Sequence, residues 1–201
     1  LFNGAKAIVP VDNVAECIRI GKQIDGITAG ERDGKIADGL EYGNSPFEYN
    51  PEFIKDKVLV LTTTNGTKLL HMALDKSARE IVTGSFPNLS AVCEHLLQKR
   101  EDVILACAAW KDRVNIEDSL FAGAVINRLK DSFDIEGDSS HVAHNLYILA
   151  QKSLYEFMKK HNASHYHRLT NFGLEKDIRY CLSTDVANVL PVYIEGKLVT
   201  A

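Results

Sequence analysis

Apolar and polar positions along the chain follow two alternating periods. Residues 5–11, AKAIVPV, read as a strand. Residues 13–24, NVAECIRIGKQI, place apolar side chains at helical spacing behind Asp12 or Asn13 as a cap. GITAG, 26–30, has the length of a short buried strand, and 57–63, KVLVLTT, is a nearly continuous apolar run of the kind covered on both faces in a parallel sheet. A helix is predicted over 66–76, a strand over 79–85 and a helix opened by Asn88 over 88–100. Residues 102–109, DVILACAA, read as another buried strand. The helix predicted over 115–133 carries acids in its first turn and bases in its last, matching its dipole. A long amphipathic helix is predicted over 139–162, one or two shorter helices broken near Gly173 over 164–183, and a hairpin turning at Glu195-Gly196 over 189–199.

This alternation predicts an α/β layered fold with a mainly parallel sheet, the helices of 139–183 covering one face or end and the hairpin adding an antiparallel edge. No repeat or linker divides the chain, so a single domain over 1–201 is expected. The start, LFNGA, resembles the last turn of a helix, and an upstream segment is expected.

Composition narrows the function classes. The net charge of −4 gives no reason to expect a nucleic-acid partner, since phosphate backbones recruit basic faces. No apolar run approaches the ~20 residues of a membrane span. The four cysteines, at 17, 93, 107 and 181, form no CxxC pair, which fits free thiols in a reducing, cytoplasmic setting. Self-association is an expectation for an acidic small-molecule enzyme of this size.

In open α/β sheets, ligands gather outside the carboxyl ends of the strands. After GITAG comes Glu31-Arg32-Asp33 between glycines, and after KVLVL comes Thr62-Thr63-Thr64-Asn65-Gly66-Thr67. Asn65-Gly66 permits positive φ and an anion-binding nest, and the helix that follows adds its N-terminal amides. Arg32 matches an oxyanion bidentately, and the neighbouring acids suit a magnesium ion. Asn44 and Ser45 read either as a turn before Pro46 or as ligand contacts. Glu117 and Asp118 read either as dipole-favoured acids or as metal ligands.

Other motifs carry less. Cys107 and Arg113 have the C-x5-R spacing of cysteine phosphatases, yet the intervening residues include Trp110 and no glycine, and Cys107 reads better as a small buried hydrophobe. His161, His165 and His167 are spaced loosely for a metal and are expected on a solvated helix face. No G-x-S-x-G elbow is present.

Five stretches occur together in order: AGERDGKIADGLEYGNSPFEY (29–49), LTTTNGTKLL (61–70), TGSFPNLSAV (83–92), CAAWKDRVNIEDSLFAGAVI (107–126), and Gly173 with Asp177 and Cys181. On these residues the chain resembles the 2-phosphosulfolactate phosphatase (ComB-like) family of coenzyme M biosynthesis. The resemblance implies a three-layer α/β/α sandwich, Mg2+ as cofactor and a small anionic phosphate monoester as substrate. The family's usual opening strand has no counterpart here, and Ala109 stands where the family carries glycine. The expected catalytic residues are Glu31, Asp33 and Asp118. Arg32, Asn44, Ser45, Thr64, Asn65, Gly66 and Thr67 are expected to bind substrate, and Glu117 and Asp118 to hold the metal. A non-catalytic binding protein for an anionic metabolite and a phosphatase for another ester are the alternatives.

Overall fold

The computed structural model describes residues 1–32 and 34–201. The chain forms two compact units, Leu1–Thr83 with Val189–Ala201, and Gly84–Asn188.

The first unit holds a six-stranded mixed sheet: β1 (Ala7–Val11), β2 (Ile27–Arg32), β3 (Lys35–Ile36), β4 (Val58–Thr62), β5 (Pro191–Ile194) and β6 (Lys197–Thr200), in the order β3-β2-β4-β1-β6-β5. Its centre, β2-β4-β1, is parallel, and Gly30 and Val11 both stand opposite Thr62. Three strand ends are therefore level with one another. The outer strands are antiparallel, β3 returning on β2 and β5 on β6. Glu195 and Gly196 turn the last hairpin with φ of 48° and 85°, the positive angles of a two-residue turn matched to strand twist. The mixed α/β sheet with its C-terminal hairpin is thus as the sequence predicts.

Helix α1 (Val14–Ile24) is capped by Asn13, whose side chain accepts from the Glu16 amide. It lays Cys17 against Val11 and Val60, with Val9, Ile20 and Leu40 packed around them. The Cys17 thiol donates to the Val60 carbonyl at 3.2 Å and, being desolvated, is pushed above its ordinary pKa. Two further helices complete the unit, the short α2 (Pro51–Ile54) and α3 (Gly66–Asp75). Gly30 is required by the tight approach of β2 to β4, since a Cβ there would lie 2.7 Å from the Thr62 carbonyl oxygen.

The second unit is helical: α4 (Leu89–Lys99), α5 (Ile116–Leu129), α6 (Asp138–Ala150), α7 (Leu154–Lys160), α8 (Ser164–Asn171) and α9 (Glu175–Cys181). The α5 face buries Leu120, Ala124 and Val125, and α5 packs closely on α6. Among the described residues no helix is long and apolar enough to cross a membrane.

Three expected elements differ. Residues 79–85 are not a strand: one bridge links Val82 to Val192, with the Thr83 amide donating to the Pro191 carbonyl at 3.0 Å. Two β-branched residues between Arg79-Glu80 and Thr83-Gly84 are too few to sustain a ladder. Residues 102–109 are not a strand either, and Ile104 is 91% exposed. An apolar run becomes a strand only beside a partner, and none pairs with it among the described residues. Its Leu105 packs against Ala122, Ile126 and Ala143. The long helix expected over 139–162 is interrupted, because the Ser153 hydroxyl accepts from the Glu156 amide and starts α7 as a separate helix.

One electrostatic clamp ties the end of this unit to α4. Asp185 accepts from the Ser90 amide and hydroxyl, both at 2.6 Å, and from Arg128 at 3.1 Å. Burial pushes the Asp185 pKa up, but the Ser90 and Arg128 hydrogen bonds outweigh it and leave the carboxyl below its ordinary value. Its folded pKa is therefore depressed, so its stabilisation is present above the unfolded value of about 3.9 and is lost as pH falls through the folded value. Asp185→Asn is expected to cost about 1 kcal/mol at pH 7, the net worth of hydrogen bonds at a partly exposed site. The difference from wild type in urea midpoint should shrink as pH falls below about 3.9, the unfolded value. An equal difference at pH 7 and pH 3 would rule out the charge as its source.

Candidate active site

At the level carboxyl ends of β1, β2 and β4, the first unit gathers a small polar set. Arg32, at the end of β2, donates through one guanidinium nitrogen to its neighbour Glu31's carbonyl at 2.7 Å and through another to the Thr62 hydroxyl at 3.2 Å. Thr62 is fully buried and fixes the fork against the end of β4. Glu31 stands beside it, its carboxylate accepting the Gly34 amide. Asp33 lies outside the described residues.

The β4–α3 loop completes the set. Thr63 and Thr67 bind one another, the Thr67 hydroxyl donating to the Thr63 carbonyl at 2.8 Å and the Thr67 amide to the Thr63 hydroxyl at 3.3 Å. Thr63 thereby does the capping, and the Asn65 side chain makes no cap hydrogen bond to the helix it precedes. The anticipated nest is absent. Asn65 has φ −117° and Gly66 is not among the positive-φ residues, because the dipeptide runs straight into the first turn of α3. What the loop presents is a helix N-terminus, with its amides and the positive end of its dipole, beside an arginine. Thr64 and Gly66 are exposed there.

Asn44 and Ser45 serve the preceding loop. The Ser45 hydroxyl accepts from the Phe47 amide at 3.4 Å and caps a single 3-10 turn, Pro46–Glu48, while Asn44 is exposed. Tyr49 and Glu48 then pin Gly43, through a 2.5 Å bond from the phenol to its carbonyl and a 2.8 Å bond from its amide to the carboxylate. A further pair has no local signal in the sequence. Asp12, just past β1, lies 2.8 Å from the imidazole of His71 on α3. Only the parallel register and the direction of α3 bring these two together.

Glu117 and Asp118 belong to the second unit and open α5 behind Asn115, whose side chain accepts from the Asp118 amide at 3.0 Å. They have different partners. Asp118 accepts the Ala109 amide at 2.9 Å, and burial pushes its carboxyl pKa up against the amides of Ala109 and Ala108 and the Asn115 side chain, which lower it. The Glu117 carboxylate contacts the His165 imidazole, both side chains being about four-fifths buried, at 22% and 19% exposure. His165 is thus not on a solvated face, contrary to expectation. Among the described residues no group of three or more His, Cys, Asp or Glu side chains is arranged to hold a metal ion. His161 instead stacks on Phe157 at 4.3 Å, and His167 lies 3.2 Å from the Asn171 amide.

The C-x5-R segment is a hairpin and not a phosphate loop. Trp110 and Arg113 exchange amide-to-carbonyl bonds at 3.0 Å, with Lys111 and Asp112 at φ 53° and 56° between them. The Trp110 and Arg113 amides are therefore spent on each other's carbonyls. The Cys107 thiol is pushed above its ordinary pKa by desolvation and by Asp118, the opposite of an activated nucleophile. Ala109 holds φ 64°, a conformation that favours glycine, at the position where the resembled family has one.

The strand ends of this open α/β sheet offer a fixed arginine, hydroxyls and a helix N-terminus, groups of the kind that bind small oxyanions. Comparison with known sequences shows the family. A sequence model described as 2-phosphosulpholactate phosphatase matches residues 1–196. A probable 2-phosphosulfolactate phosphatase of Caldanaerobacter subterraneus subsp. tengcongensis is 37% identical over 205 residues, covering 100% of this chain and 83% of the relative. Proteins of the same description from Thermotoga petrophila and Clostridium novyi are 40% and 34% identical, over 99% and 98% of this chain and 84% and 83% of theirs. The chain belongs to the 2-phosphosulpholactate phosphatase family, a family of phosphoric monoester hydrolases.

Proposed function

We propose that this chain hydrolyses the phosphate monoester of 2-phosphosulfolactate, releasing sulfolactate and inorganic phosphate, with the phosphate held at the end of β2 and β4. The observation that carries the reading is the Arg32 guanidinium fixed against Thr62 beside the N-terminus of α3. An arginine fork pairs with two phosphate oxygens, and the first-turn amides of α3 take a third. Because these donors are positioned before substrate arrives, they stabilise the charge that builds on the equatorial oxygens as the ester bond breaks. Asn65, whose side chain does not cap α3, and Thr64 complete the cradle. Glu31, on the same strand end, orients the attacking water.

Magnesium fits this set in one mode. Glu117 and Asp118 are committed to different partners, whereas the Glu31 carboxylate is oriented by the Gly34 amide at the phosphate end of the sheet. Magnesium commonly takes one or two carboxylates, waters and the substrate's own phosphate, so Glu31 would hold it. When bound, the ion neutralises phosphate charge.

All four cysteines are free, which supports a reducing compartment, the cytoplasm. Phosphate release from 2-phosphosulfolactate tests the reading. EDTA should lower the rate at least about 10²-fold and added magnesium should restore it. Undiminished turnover in EDTA would remove the metal from the proposal. Tight binding without any phosphate release would make the protein a metabolite-binding module.

A further inference from the structure

Asp12 and His71 meet at the same rim as the phosphate donors, and the hydrolysis described above uses neither. Asp12 is the first residue past β1, and β1 ends level with β4 because Val11 stands opposite Thr62. Asp12 is therefore at the carboxyl edge of the parallel strands, where open α/β sheets bind their ligands. Its Oδ1 lies 2.8 Å from Nδ1 of His71.

His71 reaches that edge from α3. It follows Thr67 by four residues and so shares its helix face. Thr67 is buried and bonded to Thr63 just past β4, which turns that face onto the rim. His71 stands five positions beyond Gly66, about 7.5 Å along the helix axis. A helical side chain leans toward the helix N-terminus and covers the turn before its own Cα. That lean carries the imidazole toward the amides proposed to hold phosphate.

The two ring nitrogens are not equivalent. Nδ1 faces the Asp12 carboxylate, whereas Nε2 makes no hydrogen bond among the described residues. The side chains are 41% and 54% exposed, so Nε2 is open to a ligand. An exposed ion pair contributes little to stability, which leaves its place on the rim to be explained by chemistry. Phosphate-ester cleavage supplies the need. Its loose transition state asks that the attacking water be oriented, but the departing alkoxide is strongly basic and takes up a proton as it leaves.

We infer that His71 is the general acid of this reaction and Asp12 its positioning residue, an inference that rests on the hydrolysis proposed above. As the ester P–O bond breaks, its electron pair stays on the alkoxide oxygen, which takes the Nε2 proton and departs as the alcohol. The water oxygen forms the new bond to phosphorus. One proton of the resulting dihydrogen phosphate returns to Nε2 and restores the imidazolium. Asp12 accepts from Nδ1 throughout and fixes the tautomer and the ring orientation.

Two esters test the assignment. 2-Phosphosulfolactate must release an alkoxide, whereas p-nitrophenyl phosphate releases a stabilised phenolate that needs no proton. His71→Gln is expected to lower kcat for 2-phosphosulfolactate by about 10²-fold and for p-nitrophenyl phosphate by less than about threefold, with KM little changed. Asp12→Asn is expected to show the same selectivity with a loss of about tenfold on the alkyl ester, roughly the worth of one hydrogen bond. Equal losses on the two esters overturn the inference and leave the hydrolysis reading standing, since a merely structural pair affects both alike. An unchanged kcat for 2-phosphosulfolactate in His71→Gln overturns it as well. Asp12→Asn decides by the same criterion if His71→Gln folds poorly. Wild-type protein that releases phosphate from neither ester overturns the hydrolysis reading itself, and this inference with it.

Discussion

Arg32→Ala will lower kcat/KM for phosphate release by about 10²–10³-fold, with the folded state retained. The guanidinium is half-buried at the end of β2 and makes its observed contacts to a carbonyl and a hydroxyl, neither of which becomes a buried unpaired charge when it is removed. The buried Thr62 hydroxyl loses this donor, so stability should fall by about 1–2 kcal/mol. What disappears is the positive charge aimed at the equatorial oxygens as the ester cleaves, an interaction worth more in the transition state than in the bound substrate. The loss should accordingly appear in kcat and not only in KM. Arg32→Lys should recover part of the rate, since charge returns without the two-pronged geometry. Steady-state kinetics on the three proteins, with circular dichroism as the folding control, decides the matter. A variant with unchanged kcat would detach Arg32 from the chemistry.

Gly123→Ala will destabilise the helical unit by about 2–3 kcal/mol, lowering the melting temperature by roughly 5–10 °C. The α5–α6 contact is close because Gly123 has no side chain. A methyl group there would lie 2.7 Å from the Ala143 carbonyl carbon and from the Tyr147 Cβ. The first obstacle is backbone of α6, which cannot rotate away as a side-chain tip would, so the helices must separate. Separation loosens Ala122, Ile126, Ala143 and Leu105 together. The helix-propensity gain of alanine over glycine, about 1 kcal/mol, offsets only part of this. Thermal denaturation measures the result, and an unchanged midpoint would mean that α6 shifts without cost.

Local signals in the sequence located much of this. The apolar run of β4 and the spacing in α1 fixed the parallel centre, and Glu195-Gly196 marked the hairpin because few residues accept two successive positive φ angles. The loop between β4 and α3 was legible as a candidate anion site because strand, turn and helix follow within a dozen residues. The misreadings share one cause. Residues 102–109 have the composition of a buried strand, but pairing depends on what lies alongside, which no window of sequence contains. The Asn65-Gly66 nest failed for a related reason: the dipeptide permits positive φ but does not require it, and Thr63 already caps the helix. Glu117 could be found as a candidate acid, yet its partner His165 is 48 residues away and reaches it only through the packing of the second unit. The Asp12–His71 pair is likewise a product of register.

The central claim, that phosphate sits at the ends of β2 and β4, is tested most directly by following backbone amide resonances while inorganic phosphate is added. The account predicts that the largest, saturable shifts fall on Arg32 and on Asn65, Gly66, Thr67 and Lys68 at the start of α3. Saturable shifts confined to other parts of the chain, with these five amides unmoved, would contradict it.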